Sequence, residues 1–386
     1  MSHATITVLP GDGVGPEVTE QALQVLLAVQ EVYHHTFTIQ QRLVGLDAIG
    51  AEGVAISDET FDACAQSDAI LFGAVGSLPG AETRKEGPRP EQALFRLRKE
   101  LDLFANLRPV RPFESMHAAS PLKPQYLEGT DMVFVRELSS GLYYGYMESV
   151  PGKPSEIRRR GQEMEAVDTL LYTEQEIERV VRLAFDIALV RRKKVTSVDK
   201  ANLLSTSVLW RQVVERVAGD YPTVAYEHLL VDACAMRLIV TPSEFDVIVT
   251  ENLFGDILTD EASVLTGSLG MLPSASLGFR RTEAGMFGLY EPIHGAAWDI
   301  AGRDKANPIG AVLSVALLLR HSLDLCREAT AVEAAVEDVI REGYRTADVR
   351  DGGRAVVGTQ EMGQRIRDRL SQSLSDEPPV LEVIHQ

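Results

Sequence analysis

Asp256 and Asp260, in the segment TENLFGDILTDEAS, stand four residues apart. On a helix this spacing puts both carboxylates on one face, where two like charges lower stability unless a cation neutralises them. Carboxylates without nearby cysteine ligands suit hard ions, so the pair predicts a Mg²⁺ or Mn²⁺ site. Asp232, at the end of another apolar run, is a candidate third ligand. An ordinary solvated acidic face has the same spacing.

Two further residues could transfer protons. Lys200 ends a β-branched run, where α/β enzymes place their working residues, and a lysine near other cations in a dry cleft can act as a general base. Tyr143, in the glycine-flanked GLYYG, is a candidate proton donor. A solvated surface lysine and a packed aromatic residue are the alternatives.

Three arginines, Arg98, Arg108 and Arg136, lie on separate segments, two of them strongly apolar. The guanidinium fork binds carboxylates with two parallel hydrogen bonds, so a converging trio would hold a dicarboxylate. Three unrelated ion pairs remain the alternative.

Two glycine-rich segments could approach a flat ligand closely. The segment 10–18 follows a predicted strand and opens a helix, but its spacing, G-x-G-x-G-P, differs from the dinucleotide fingerprint, and no Rossmann domain is inferred. In the segment 291–308, Asp299 could accept hydrogen bonds from ribose hydroxyls and repel a 2′-phosphate, which favours NAD over NADP.

Composition narrows the class of protein. The 386 residues carry a formal net charge of -18, which disfavours binding to nucleic acid and to anionic membrane surfaces. Three widely spaced cysteines suggest neither a disulfide framework nor a zinc site and fit a reducing cytoplasm. No secretory signal is visible at the start of the sequence, and the longest apolar stretch, around 312–319, is too short to span a bilayer.

Short β-branched runs alternate with amphipathic segments, which predicts an α/β fold with a largely parallel sheet. A helix is expected from about 15 to 33, and Thr173 with Glu176 forms a capping-box pattern that opens a helix to about Arg192. The segment 141–172 predicts a projecting arm, with a disordered surface loop as the alternative. The predicted strands are 4–9, 37–44, 69–75, 132–138, 194–200, 223–231 and 245–250.

Taken together, the motifs along residues 4–345 resemble the isocitrate/isopropylmalate dehydrogenase family of β-decarboxylating dehydrogenases, and most of all its members that act on 3-isopropylmalate. Each motif alone is weak, whereas their joint occurrence in this order is highly specific. The motifs are PGDGVGPEV, LRKELDLFANLRP, VREL, GLYYG, SVDKAN, VDACAM, NLFGDILTDEAS, GSLGMLPSAS and EPIHGAAWDIAG.

The resemblance implies a two-domain, non-Rossmann α/β fold of mixed sheets flanked by helices. The first domain would comprise 1–103 and 267–386 and carry the NAD-binding loops. The second, 104–266, would provide the dimer interface and the dimerisation arm, about 141–172. The resemblance also implies a homodimer with shared active sites, in which the catalytic lysine, Lys200, and one of the metal-binding aspartates reach the site from the partner subunit.

The resemblance further implies a role for each candidate residue, with NAD and Mg²⁺ or Mn²⁺ as cofactors. The catalytic residues would be Tyr143 as acid and Lys200 as base. The metal ligands would be Asp232, Asp256 and Asp260. The substrate-binding residues would be Arg98, Arg108, Arg136, Asp232, Glu91, Leu94 and Phe95. The cofactor-binding residues would be His294, Gly295, Ala296, Ala297, Asp299, Ile300 and Asn307.

The expected reaction is the NAD-dependent oxidative decarboxylation of 3-isopropylmalate to 4-methyl-2-oxopentanoate, which belongs to leucine biosynthesis. Apolar Leu94 and Phe95 suit an isopropyl group. The alternatives are a D-malate, tartrate or homoisocitrate dehydrogenase of the same family, or a non-catalytic regulatory subunit. The chain departs from the family pattern at Phe95, at Trp298 and in the segment 76–80.

Overall fold

The computed structural model describes residues 2–80, 87–147, 154–351 and 355–372, which form fourteen strands and thirteen α-helices. The strands are β1 (His3–Gly11), β2 (Thr36–Gln41), β3 (Ala69–Ala74), β4 (Ala105–Val110), β5 (Met132–Glu137), β6 (Glu156–Arg160), β7 (Glu163–Val167), β8 (Lys194–Asp199), β9 (Ala225–Leu230), β10 (Val247–Thr250), β11 (Pro273–Arg281), β12 (Met286–Pro292), β13 (Tyr344–Arg345) and β14 (Ala355–Val356). The helices are α1 (Gly15–Tyr33), α2 (Leu46–Glu52), α3 (Asp58–Gln66), α4 (Glu91–Glu100), α5 (Pro124–Leu127), α6 (Leu142–Met147), α7 (Glu174–Leu189), α8 (Ser205–Ala218), α9 (Val231–Val240), α10 (Asn252–Thr266), α11 (Ile309–Ser322), α12 (Cys326–Arg341) and α13 (Thr359–Gln372).

Ten strands form one mixed sheet in the order β2-β1-β3-β12-β11-β4-β5-β10-β8-β9. The outer pairs are parallel, and the three central pairs, β12–β11, β11–β4 and β4–β5, are antiparallel. Six of these nine strand pairs are parallel, which confirms the predicted largely parallel sheet, and the antiparallel centre confirms the mixed sheet that the resemblance implies.

The strands also sort by position in the chain. Within the large sheet, the strands from residues 104–266 form one contiguous half and those from 1–103 and 267–386 form the other, with the border between β11 and β4. The pairs β6–β7 and β13–β14 form two separate small sheets. The division into two domains with these boundaries stays a prediction.

Helices cover the sheet on both faces at β3, whose side chains are buried on both sides. In β3, Ala69 and Leu71 pack into a core with α1 and α11, whereas Ile70 and Phe72 pack into a second core with α3 and α4. A strand buried on both faces needs continuous rather than alternating hydrophobicity, which is the pattern of this segment. The sheet is therefore packed between two layers of helices, one with α1 and α11 and the other with α3 and α4.

The local predictions agree closely with the structure. The first helix, α1, spans Gly15–Tyr33, and a reciprocal capping box between Thr173 and Glu176 opens α7. Each predicted strand is present within a few residues of its expected bounds.

The predicted arm, 141–172, contains α6 and an exposed antiparallel hairpin of β6 and β7. Its residues 148–153 lie outside the described residues. No helix in the described part of the chain has the length and apolar character needed to cross a membrane.

Candidate active site

Two buried arginines stand on the neighbouring antiparallel strands β4 and β5. Arg136 pairs in register with Asn106, and Arg108 lies two residues further along β4. Because side chains two residues apart in a strand share a face, Arg108, Asn106 and Arg136 all project from the same face of the sheet. The strand register therefore places two positive charges side by side.

Polar side chains hold both arginines in place. Arg108 donates from Nε to Asn106 Oδ1 at 2.7 Å and from Nη1 to Thr259 Oγ1 at 2.6 Å. Arg136 donates from Nε and Nη2 to Asn252 Oδ1, at 3.0 and 2.7 Å. Two of these partners lie on α10, so this helix and the two strands fix the guanidinium groups together.

The third predicted substrate arginine, Arg98, comes from α4. Its Nη2 donates to Glu291 Oε1 at 2.8 Å, and its buried Nε has no hydrogen-bond partner among the described residues. Burial, followed by the charge of Arg136 and then that of Arg98, lowers the pKa of Arg108 to about 10. The structure therefore brings the three arginines into one electrostatic group.

Asp256 and Asp260 face this group from α10. Asp256 Oδ1 accepts a hydrogen bond from Arg136 Nη1, and Arg108 lies 3.7 Å from each of the two carboxylates. Burial by itself would raise the pKa of Asp256, but Arg136 and Arg108 hold it below the usual value. Burial and the charge of Asp256 raise the pKa of Asp260.

Tyr143 completes this cluster from α6. Its hydroxyl donates to Asp256 Oδ2 at 2.8 Å, and the Arg136 guanidinium lies 5.7 Å from the centre of its ring. Burial and then the negative charge of Asp256 raise the pKa of Tyr143 well above its usual value. The phenol is therefore kept protonated and can act as a proton donor.

Lys200 and Asp232 form a separate pair. Lys200 Nζ lies 2.6 Å from Asp232 Oδ1, and the hydrogen bond from Lys200 lowers the pKa of Asp232. The turn that carries Lys200 is fixed by Ser207 Oγ, which accepts from the Lys200 backbone N–H at 3.1 Å. Across the described ranges, no three acidic, histidine or cysteine side chains are grouped as a metal site. The three predicted metal ligands do not converge within one chain.

The loop after β12, which carries the predicted cofactor residues, contacts the first glycine-rich turn. The Val14 N–H donates to the Ala296 carbonyl at 2.8 Å. Gly13 has φ +59°, and a Cβ there would lie 1.9 Å from that same carbonyl oxygen, so only glycine fits at this approach. The two small-residue segments singled out in the sequence therefore form one surface.

The other predicted cofactor residues differ in exposure. Gly295 and Asp299 are exposed, and the buried Nε2 of His294 has no hydrogen-bond partner in the described part of the chain. The Ile300 N–H donates to the carbonyl of Ala297 at 3.1 Å. Asn307, in contrast, is buried, and its amide donates to Asp348 Oδ2 at 3.1 Å within the fold.

The predicted specificity residues lie along α4. Glu91 accepts from the Ser77 backbone N–H at 2.8 Å and from Ser77 Oγ at 3.1 Å. Leu94 packs against the core that includes α4. Phe95 contacts the ring of Tyr144 edge to face, with 5.8 Å between centroids, and so joins α4 to the helix that carries Tyr143.

Sequence reasoning missed several residues that organise the site. Asp12 accepts from the backbone N–H groups of Leu46 at 2.8 Å and Gly76 at 3.2 Å, and burial raises its pKa to about 6. Its position between two glycines in a turn was a usable signal. Glu291, the partner of Arg98, and Asn252, the partner of Arg136, had none, because each pairing spans more than a hundred residues.

A buried arginine group facing a carboxylate pair, next to a tyrosine held in its acid form, is typical of an enzyme that performs acid–base chemistry on a polyanionic substrate. A family model described as isocitrate/isopropylmalate dehydrogenase matches residues 5–366. The chain belongs to this family.

Individual relatives match over nearly their whole length. The chain is 54% identical over 361 residues to a 3-isopropylmalate dehydrogenase of Priestia megaterium, covering 94% of each chain. It is 53% identical to one of Geobacillus kaustophilus, covering 95% of each. Among solved structures, isocitrate dehydrogenase from Methylococcus capsulatus matches with a TM-score of 0.81 at 32% identity, covering 95% of this chain and 99% of the other.

Gly255 should be essential for the position of Arg136. An added Cβ at Gly255 would lie 2.6 Å from Arg136 Cγ, so Gly255→Ala must displace the guanidinium from Asp256. Because hydrogen bonds of charged groups contribute roughly 1.5–3 kcal/mol, we expect about tenfold or greater loss of affinity for 3-isopropylmalate, measured by calorimetry with Mg²⁺ present. Gly50→Ala is the matched control, since no atom lies within 4 Å of a Cβ there. Equal affinity in both variants would contradict this role.

Asp12 should make the protein less stable as the pH rises. Its pKa is raised from 3.8 to about 6, so the native state keeps a proton that the unfolded chain has lost between these values. This stabilisation is fully present below pH 3.8 and is lost as the pH rises through 6. Between these two pH values, the unfolding free energy measured in urea should fall more for the wild type than for Asp12→Asn. The difference should be on the order of 2 kcal/mol. An unchanged pH profile would refute the assignment.

Proposed function

We propose that the protein catalyses the NAD-dependent oxidative decarboxylation of 3-isopropylmalate to 4-methyl-2-oxopentanoate, a step of leucine biosynthesis. The observation that carries this proposal is the identity of 54% and 53%, over nearly the whole of both chains, to relatives of that name. The apolar residues Leu94 and Phe95, on the helix that presents Arg98, support the choice of an alkyl-substituted malate.

The arginine group supports a dicarboxylate substrate. Arg108 and Arg136 are buried cations, and Arg98 has a buried donor that no described residue satisfies. A buried charge is costly unless it is paired, so an anionic substrate would relieve the repulsion among the three arginines. The strongly negative net charge of the chain does not prevent this binding, because the positive potential of the three arginines acts locally at the site.

The carboxylate pair supports a hard divalent ion. The side chains of Asp256 and Asp260 are 38% and 61% exposed, and they offer only oxygen donors, which suit Mg²⁺ or Mn²⁺. Asp232 is the proposed third ligand and would come from the partner subunit.

The loop after β12 supports NAD as the second cofactor. Gly295 and Asp299 are exposed, and the small side chains of Ala296 and Ala297 would let a flat ligand approach the loop closely. The Asp299 carboxylate would disfavour the 2′-phosphate of NADP. His294, Ile300 and Asn307 complete the proposed cofactor-binding set.

The chain supplies the acid and the base of the reaction. Lys200 accepts the proton of the substrate hydroxyl, and the arginines hold the two carboxylates while the β-carboxylate leaves as carbon dioxide. Tyr143, which stays protonated beside Asp256, helps to protonate the carbon left by that loss. When bound, NAD would accept the hydride and the divalent ion would stabilise the negative charge that develops on the substrate oxygen.

We further propose a homodimer with shared active sites. Lys200 and Asp232 form their own pair apart from the Tyr143 cluster, and exposed apolar side chains lie near them. Leu203 is 75% exposed, and Met236 and Ile257, on the neighbouring helices α9 and α10, are 67% and 58% exposed. A second copy would cover this apolar surface and bring Lys200 to the opposite site.

A cytoplasmic location is part of the proposal. Cys64 and Cys234 are buried, Cys326 is exposed, and none of the three forms a disulfide. Unpaired cysteines fit a reducing compartment.

The substrate assignment can be tested by following NADH or NADPH formation at about 340 nm. We expect kcat/KM to be highest for 3-isopropylmalate with NAD and Mg²⁺ or Mn²⁺, when D-malate and isocitrate are compared with either cofactor. A preference for D-malate would overturn the pocket assignment but keep the mechanism. Absence of turnover with all three acids would indicate a regulatory subunit.

The shared site can be tested by mixing two inactive variants. In a hybrid of Tyr143→Phe and Lys200→Met subunits, one site would combine an intact tyrosine with an intact lysine, and the other would lack both. After denaturation and random reassociation, we expect about a quarter of wild-type activity. If each site is built from one chain, mixing restores no activity, whereas refolded wild-type protein controls for losses during the procedure.

A further inference from the structure

The indole of Trp298 joins two loops that are distant in sequence. Its Nε1–H lies 3.2 Å from the Gly76 carbonyl oxygen and 3.1 Å from that of Ser77, and it donates to both. Trp298 comes directly before Asp299 in the loop after β12, whereas Gly76 and Ser77 follow β3. A single side-chain donor therefore connects the proposed cofactor loop to a segment more than two hundred residues away.

The segment Gly76–Ser77 is held from two other directions. Its Gly76 N–H donates to Asp12 Oδ2 at 3.2 Å, and its Ser77 N–H and hydroxyl donate to Glu91. The two carbonyl oxygens accept hydrogen bonds from Trp298. Both backbone N–H groups and both carbonyl groups of this segment are therefore hydrogen-bonded. Three parts of the proposed active site meet at these two residues.

The helix α4 is connected at both of its ends to the segment 291–298, which comprises the end of β12 and the loop after it. At its start, Glu91 reaches Trp298 through Ser77, and near its end Arg98 contacts Glu291, seven residues before Trp298. The helix α4, the segment Gly76–Ser77 and the segment 291–298 are thus connected to one another in a ring of contacts. Removing the Trp298 N–H would break the contact between the cofactor loop and Gly76–Ser77 and leave the Arg98–Glu291 contact in place.

We propose that Trp298 is a positioning residue for the nicotinamide dinucleotide, which it serves by holding the loop 294–299 against Gly76–Ser77 before the cofactor binds. This inference rests on the proposed function, because it takes NAD as the occupant of the loop. A loop already held in its binding conformation loses less conformational entropy on association, which favours affinity. Since Trp298 touches no reacting group, its loss should affect cofactor binding more than the chemical step.

The test variant is Trp298→Phe, which keeps an aromatic ring and removes the N–H. Its matched control is Trp210→Phe, because buried Trp210 donates from Nε1 to Ser197 Oγ at 3.2 Å, and the contacts of both lie away from the cofactor loop. A net hydrogen-bond contribution near 1 kcal/mol predicts that Trp298→Phe raises the NADH dissociation constant and the KM for NAD about fivefold. We expect kcat to change less than about twofold, and the control to bind NADH as the wild type does.

Hydrogen exchange of the protein without cofactor gives a readout independent of activity. The amide protons of Gly76 and Ser77 are hydrogen-bonded to Asp12 and Glu91, and they should exchange faster in Trp298→Phe than in the wild type or in Trp210→Phe. Unchanged exchange of these two amide protons would overturn the role of Trp298, and so would an unchanged NADH affinity.

A second readout uses the fact that the chain has two tryptophans. In Trp210→Phe, Trp298 is the sole tryptophan, and its emission should be quenched on addition of NADH. Failure of the wild type to bind NADH by calorimetry would refute the proposed cofactor and this inference with it. Normal NADH binding by the wild type and by Trp298→Phe alike would refute this inference alone.

Discussion

The structure of the site depends on the burial of two like charges, Arg108 and Arg136, side by side on one face of the sheet. Buried cations require partners, and the fold supplies them from α10, which approaches so closely that only a glycine fits at 255. Thr259 accepts a hydrogen bond from Arg108, and Asn252 and Asp256 accept hydrogen bonds from Arg136. The two arginines still repel each other, and an anionic ligand bound between them would reduce this repulsion.

The location of this cluster follows from strand direction. Arg136 ends a strand that is antiparallel to β4 on one side and parallel to β10 on the other, and its register partner in β10 is Thr250. α10 begins two residues after Thr250, so the carboxyl ends of β5 and β10 bring Arg136 and the aspartates of α10 to one edge of the sheet. Ligands of α/β proteins bind beyond such strand ends. The antiparallel centre adds Arg108 from β4.

Local features were predictable from the sequence, because they depend on neighbouring residues. The capping box at Thr173 and the helix from Gly15 are examples. The motifs also identified the three arginines, which the structure brings together. The partners of Asp12 could not be predicted, since they are backbone N–H groups of Leu46 and Gly76. Trp298 and the segment 76–80 were each noted as departures from the family pattern, but only the structure shows that they contact each other.

Tyr143 and Lys200, the acid and the base of the proposed mechanism, occupy different surroundings. A phenol that must stay protonated is well served by a half-buried position beside a carboxylate, and Tyr143 has one next to Asp256. Lys200 instead pairs with Asp232 on a partly exposed turn. The acid and the base of the proposed mechanism therefore come from different elements, α6 and the turn after β8, and would meet only across the proposed dimer.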